Sequence, residues 1–296
     1  MTLHSVVRPT IVIAAILLLV PLLSAGFAPE RFRKLAPTLP PALRFGGPSL
    51  LCLTYALVAR AYGVFHWQWL VLYAIVPSAI ALLLDQARRL DVSNRGSWLD
   101  FLVLILLGLS VDLRWMEPAW PRGLAAFGKM LLLDAGIYGF LSVRQLDGVG
   151  FDLRLKLRDL GIGLREFSFY APLAIALGLT LGFLHFRAAW PQPLGAVSAF
   201  VFTFVAIAIP EELFFRGWIQ NLLERRVGRS TALIVTSILF GFSHWNKRTS
   251  SFNWQYVLLA AIAGIFYGRA WRSQRRIGAS ALTHATVDTL WSLWFR

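Results

Sequence analysis

Cysteine is nearly absent from this chain. Cys52, set in an apolar run, is the only one among 296 residues, which excludes an intrachain disulfide and a cysteine-based metal site. Charge is scarce as well. Asp, Glu, Lys and Arg make up 15% of the residues, against about 25% in soluble globular domains, and that deficit excludes a water-soluble fold. Acids are the scarcer sign, 15 against 29 Lys and Arg. The net charge of +14 does not point to nucleic acid, because no Lys/Arg cluster is interleaved with aromatics. The sequence also holds no internal repeat, no low-complexity tract and no His-Glu-x-x-His motif.

Apolar residues are what the chain has in abundance: 57% of it is hydrophobic and the mean hydropathy is +0.62. The expected fold is all-α, a polytopic membrane helical bundle. A span needs roughly 20 apolar residues, and about ten transmembrane helices are predicted at 10–27, 48–64, 67–84, 98–113, 123–142, 168–186, 194–215, 230–246, 253–270 and 277–295. The first ends in Ser24-Ala25-Gly26-Phe27-Ala28, which resembles a signal-peptide cleavage site, but with so many spans following it is read as a retained helix. Many of the 12 Trp, among them Trp67, Trp98, Trp190 and Trp294, fall near segment ends, where an interfacial aromatic belt forms.

Assigning Lys and Arg to alternate loops places 20 on one side and 7 on the other. The basic side is the cytoplasmic one, so both termini are expected outside the cytoplasm, in a bacterial inner (plasma) membrane. Membrane lipids are the first partners implied. The longest connection, Val143 to Phe167, separates two halves. Within it Phe151 to Arg158 alternates apolar and polar, which suits a short strand or an extended segment on the cytoplasmic surface. The expected domains are therefore 1–150, a membrane region of about five helices and open function; 151–192, a surface segment and connecting helix; and 193–296, the core that carries the chemistry.

Polar residues in the first half read as structural. Asp134 has Lys129 five residues earlier, a pairing that would cancel desolvation, and Arg60 sits in the second segment. Asp100 and Asp112 lie near segment ends and are expected to reach headgroups. His4, His66 and His185 need no special role.

The second half differs. An apolar run ends in Pro210-Glu211-Glu212-Leu213-Phe214-Phe215-Arg216, and a charge in hydrocarbon costs about 2.5–3.5 kcal/mol on insertion scales. Pro210 removes a backbone donor and leaves the carbonyls near residue 206 without a partner. Glu212 and Arg216, four apart with the acid first, should pair. Glu211 points about 100° away around the helix with no local partner, which makes it a candidate general base. His244 ends one apolar segment. His284 and Asp288 share a face of the last one. The residues leave two chemistries open. In one, Glu211 and His244 activate water while His284 and Asp288 face the oxyanion. In the other, Glu211, His244 and His284 hold a Zn²⁺ ion, for which no dedicated spacing exists.

Glu211-Glu212-x-x-x-Arg216, Phe240-x-x-x-His244 and His284-x-x-x-Asp288, in that order on apolar segments across residues 193–295, resemble the motifs of the CPBP family of intramembrane proteases, which includes the CAAX prenyl endopeptidase. The resemblance implies proteolysis, with Glu211 and His244 activating water, His284 and Asp288 stabilising the oxyanion, and Glu212 and Arg216 supporting the site. It implies a peptide or protein substrate, membrane-anchored or prenylated, cut near the cytoplasmic face. The prenyl protease has asparagine where this chain has Asp288, which leaves the role of Asp288 between facing the oxyanion and orienting His284. A non-catalytic reading, an immunity factor or scaffold using the same ion network for stability, is the alternative. A transporter would show inverted repeats, which are not found.

Overall fold

The computed structural model describes residues 8–188, 190–247 and 251–295. His4, Arg248 and Arg296, which enter the sequence reading, lie outside them. Every regular element among the described residues is helical, and β-pairing is confined to an isolated bridge between Phe186 and Phe295. The longer helices are α1 (Pro9–Phe27), α2 (Pro41–Ala61), α3 (Trp67–Leu90), α4 (Trp98–Asp112), α5 (Ala126–Val143), α6 (Leu157–Thr180), α7 (Pro193–Val227), α8 (Arg229–Phe242), α9 (Trp254–Gln274) and α10 (Ile277–Trp294). Six of these, α1, α2, α3, α5, α6 and α7, are long and apolar enough to cross a membrane, fewer than the ten spans expected. Two causes account for the difference. Helices α4 and α8 have 15 and 14 residues, about 21–23 Å at 1.5 Å per residue, short of a 30 Å hydrocarbon core. Helices α9 and α10 are long enough but carry polar and small residues on faces buried among their neighbours.

The chain divides into two compact units, one ending at Asp147 and the other starting at Gly148. In the first, burial and pairing differ from the expectation. Asp100 does not reach outward: it is fully buried, accepts from Ser97 N at 2.7 Å and from Arg144 Nε at 2.9 Å. Arg144 also pairs with Asp91. Lys129 pairs with Glu117 at 3.2 Å instead of Asp134, because five residues along a helix turn the side chains about 140° apart. The Asp134 carboxylate is buried with no hydrogen bond among the described residues. Arg60 lays its guanidinium over the Phe65 ring, 4.8 Å from its centroid.

In the second unit the alternating stretch is extended only as far as Lys156. Helix α6 starts at Leu157, earlier than the apolar pattern indicates, because Asp159 accepts the Lys156 N–H at 2.9 Å and satisfies the first turn. Small residues let the helices approach, as membrane bundles require. A Cβ on Gly264 of α9 would lie 2.9 Å from Ser237 Cα of α8, and one on Gly163 of α6 would lie 2.9 Å from Leu282 Cβ of α10.

The two ends of this unit have different chemistry. At one, Arg272 and Arg275 hold Glu224 at 2.8 and 2.5 Å, and Arg276 holds Asp152 and Asp159 at 3.1 and 2.9 Å. Gly150 lies so close there that a Cβ would sit 1.8 Å from Arg275 O, and its φ of +73° suits glycine. At the other end, Gln255 Nε2 donates to Leu181 O at 3.2 Å and Arg187 N to Trp294 O at 2.8 Å.

Candidate active site

The site is built where α7 is least regular. Two π-helical stretches, Phe204–Ala208 and Leu213–Gln220, flank the single α-turn Ile209–Glu212. Pro210 cannot donate toward residue 206, so the first wide turn falls where the missing N–H predicts it.

Glu212 forms the buried floor. It and Arg216 are fully buried and pair at 3.1 Å, Nε to Oε2. Arg216 Nη2 donates to Gly264 O at 3.0 Å, so the floor depends on the close α8–α9 packing that bares that carbonyl. The Ser280 hydroxyl donates to Glu212 Oε2 in a short contact, and His284 Nδ1 donates to Oε1 at 2.9 Å. The His284 ring is held on its faces as well: Tyr267 stacks on it at 4.7 Å and 17°, and Phe240 meets it edge-on at 5.6 Å. The Arg216 guanidinium lies 4.7 Å from the Phe240 centroid. Glu212 thus has three partners and no freedom to act on a fourth.

Glu211 and Asp288 form the exposed edge, with side chains 27% and 34% exposed. His284 Nε2 stands 3.4 Å from Asp288 Oδ2 and 3.9 Å from Glu211 Oε2, and that Glu211 oxygen has no hydrogen bond among the described residues. His244 lies on the turn after α8. Its Nδ1 is 2.9 Å from Phe240 O, an atom that only accepts, so the proton sits on Nδ1 and Nε2 keeps a lone pair. The His244 ring packs 4.7 Å from that of Tyr256. The Phe240 ring joins the two imidazoles, 5.0 Å from that of His244 and 5.6 Å from that of His284.

The structure therefore brings Glu211, Glu212, Arg216, His284 and Asp288 into one contact network and links His244 to it through the Phe240 ring. Ser280 and Tyr267 escaped the sequence reading. Ser280 had a signal, lying four residues before His284 on the face that Asp288 continues. Tyr267 had none, because its relation to the site arises only when α9 folds against it.

The zinc alternative named Glu211, His244 and His284; among the described residues no three His, Cys, Asp or Glu side chains are grouped to hold a metal ion. No step below runs through one. Toward the Arg276 end the site is packed shut: Trp218, Gln220, Trp271 and Ile277 are fully buried.

Acids and imidazoles thus lie together among apolar helices. Residues 193–290 carry an Rce1-like domain, matching the family model described as type II CAAX prenyl endopeptidase Rce1-like. That family implies protease activity, and the apolar helices make the chain an integral membrane protein. No curated protein and no solved structure matches the chain.

Proposed function

We propose that the protein is an intramembrane endopeptidase whose general base is Glu211. The observation that carries the assignment is the division of labour between neighbouring acids. Glu212 is saturated by Arg216, Ser280 and His284, whereas Glu211, on a partly exposed side chain, keeps a buried oxygen without a hydrogen bond among the described residues. A stability lock would leave neither acid unbonded, which disfavours the non-catalytic reading.

In the proposed reaction, water held between Glu211 and His244 gives its proton to this pair as its oxygen bonds to the scissile carbonyl carbon. The carbonyl π pair moves onto oxygen. Collapse of the adduct returns that pair, breaks the C–N bond and sends the proton to the leaving amine. Glu212 orients His284 through Nδ1, and Asp288 aligns its Nε2 side. The family name supports a prenylated, membrane-held peptide as substrate. The Lys/Arg bias makes the Arg276 end cytoplasmic, so the exposed edge faces the other side of the membrane.

The test is Glu211→Gln in purified protein reconstituted in liposomes. Removing a general base costs roughly 10²–10⁴ in rate, and that loss is expected with an unchanged melting temperature. Retained turnover would exclude Glu211 as the base.

A further inference from the structure

After α6 the chain forms a non-helical strap over residues 183–188 that closes one side of a cavity of about 620 Å³. That is the size of a small-molecule site, about 300–1,000 Å³. The strap is fixed along its length. Leu184 N donates to Gly178 O at 2.9 Å, Phe186 bridges to Phe295, and Arg187 N donates to Trp294 O at 2.8 Å. Leu184, Phe186 and Ala188 line the cavity, while His185 and Arg187 are exposed and absent from its lining. Tyr170 of α6 and Trp291 of α10 complete the wall, in which no charged side chain takes part.

The cavity adjoins the candidate active site without opening onto it. Glu211, His244, His284 and Asp288 do not line it. Rings stand between. Tyr170 lies 6.4 Å from the Tyr267 ring that stacks on His284 at 4.7 Å, and Trp291 lies 5.1 Å from the Tyr256 ring, itself 4.7 Å from His244. An apolar chain carried by a substrate beside its scissile bond needs a pocket open to the reacting groups, which this one is not. The strap supplies a second property of the occupant. Between Glu166 and Glu211 the chain has no acid, and Arg187 is its one Lys or Arg. The Arg187 side chain has no hydrogen bond or ion pair among the described residues. Trp190 and Trp294 line the same cavity, and tryptophan settles at the membrane interface. An apolar interior beside an interfacial, uncompensated cation matches an anionic amphiphile.

We propose that this cavity holds one acyl chain of an anionic phospholipid, with the headgroup phosphate at Arg187. The chain packs behind Tyr170 and Trp291 and so steadies the rings that rest on both imidazoles. The binding itself does not rest on the endopeptidase reading; its effect on turnover does.

The experiment uses the full chain in liposomes doped with a phosphatidylglycerol that carries a diazirine on one acyl chain, the labelled residues being located by mass spectrometry. Labels are expected on Phe186 and Trp291, beside general ones on exposed residues such as Phe169. A171F and A188W fill the cavity from α6 and from the strap, and each should remove the first set and keep the second. Cavity labels that survive both fillings would reduce the site to loose lipid contact and overturn it. Their displacement from wild type by an uncleavable prenylated peptide would overturn it as well, giving the cavity to substrate. R187Q should weaken competition by unlabelled phosphatidylglycerol about fivefold, the worth of one basic residue at an anionic surface; an unchanged curve would overturn the headgroup contact. Stripping lipid should lower kcat for a quenched prenylated peptide by as much as about 10²-fold, as loosened site geometry does, and phosphatidylglycerol should restore it. A kcat indifferent to lipid would overturn the support assigned to the chain. Labelling needs no turnover, so an inert wild type that still labels Phe186 and Trp291 removes the protease reading and leaves the lipid site standing.

Discussion

Glu211 and Glu212 are adjacent in sequence, yet about 100° of helical rotation sends one to a closed floor and the other to an open edge. Substitutions should separate the two fates. Arg216→Met leaves Glu212 buried without its cation, a loss that typically costs 3–5 kcal/mol, so a large fall in unfolding free energy is expected in denaturant titrations in detergent. Ser280→Ala removes one hydrogen bond to a charged group, about 1.5–3 kcal/mol, and loosens His284, so both stability and kcat should drop. Glu211→Gln, in contrast, should cost activity alone. The pairings that a helix dictates by itself were legible in the sequence: Glu212 with Arg216, and His284 with Asp288, each four residues apart. The contacts of Glu212 with Ser280 and His284 span 68 and 72 positions, and no local periodicity carries such information.

At the scale of elements, close helix approach and the end latch carry separate consequences. Gly264 of α9 both admits Ser237 and offers its carbonyl to Arg216. Gly264→Val should therefore spread α8 from α9, lower the melting temperature and abolish proteolysis at once, whereas a merely catalytic change would spare stability. The latch at the Arg276 end depends on pH. Partial burial pushes the Asp152 carboxyl up, but Arg154 and Arg276 outweigh it and hold the group down at about 2. A folded-state value below the unfolded one means that this contribution is fully present above about pH 4 and is lost as pH falls toward 2. Asp152→Asn should flatten that acid limb in melts followed against pH. The elements themselves were largely readable, since apolar runs and breaks mark eight of the ten longer helices to within several residues. Helices α6 and α7 are the exceptions: the first turns of α6 are amphipathic and announced only by the Asp159 cap, and α7 runs on to Val227 past the end of its apolar run.

At the scale of the molecule, the Lys/Arg bias makes a testable statement about sidedness. With Cys52 replaced, a cysteine at Trp245 should react with a membrane-impermeant maleimide added outside intact cells, and one at Ser273 should react only after the membrane is opened. The reverse pattern would return the exposed edge to the cytoplasm. Which end is packed shut was not legible in the sequence, because it depends on side chains such as Trp218 and Trp271 that arrive from different helices. That packing has a kinetic consequence: side chains arriving from three helices hold the Arg276 end closed, so opening it requires those helices to part together.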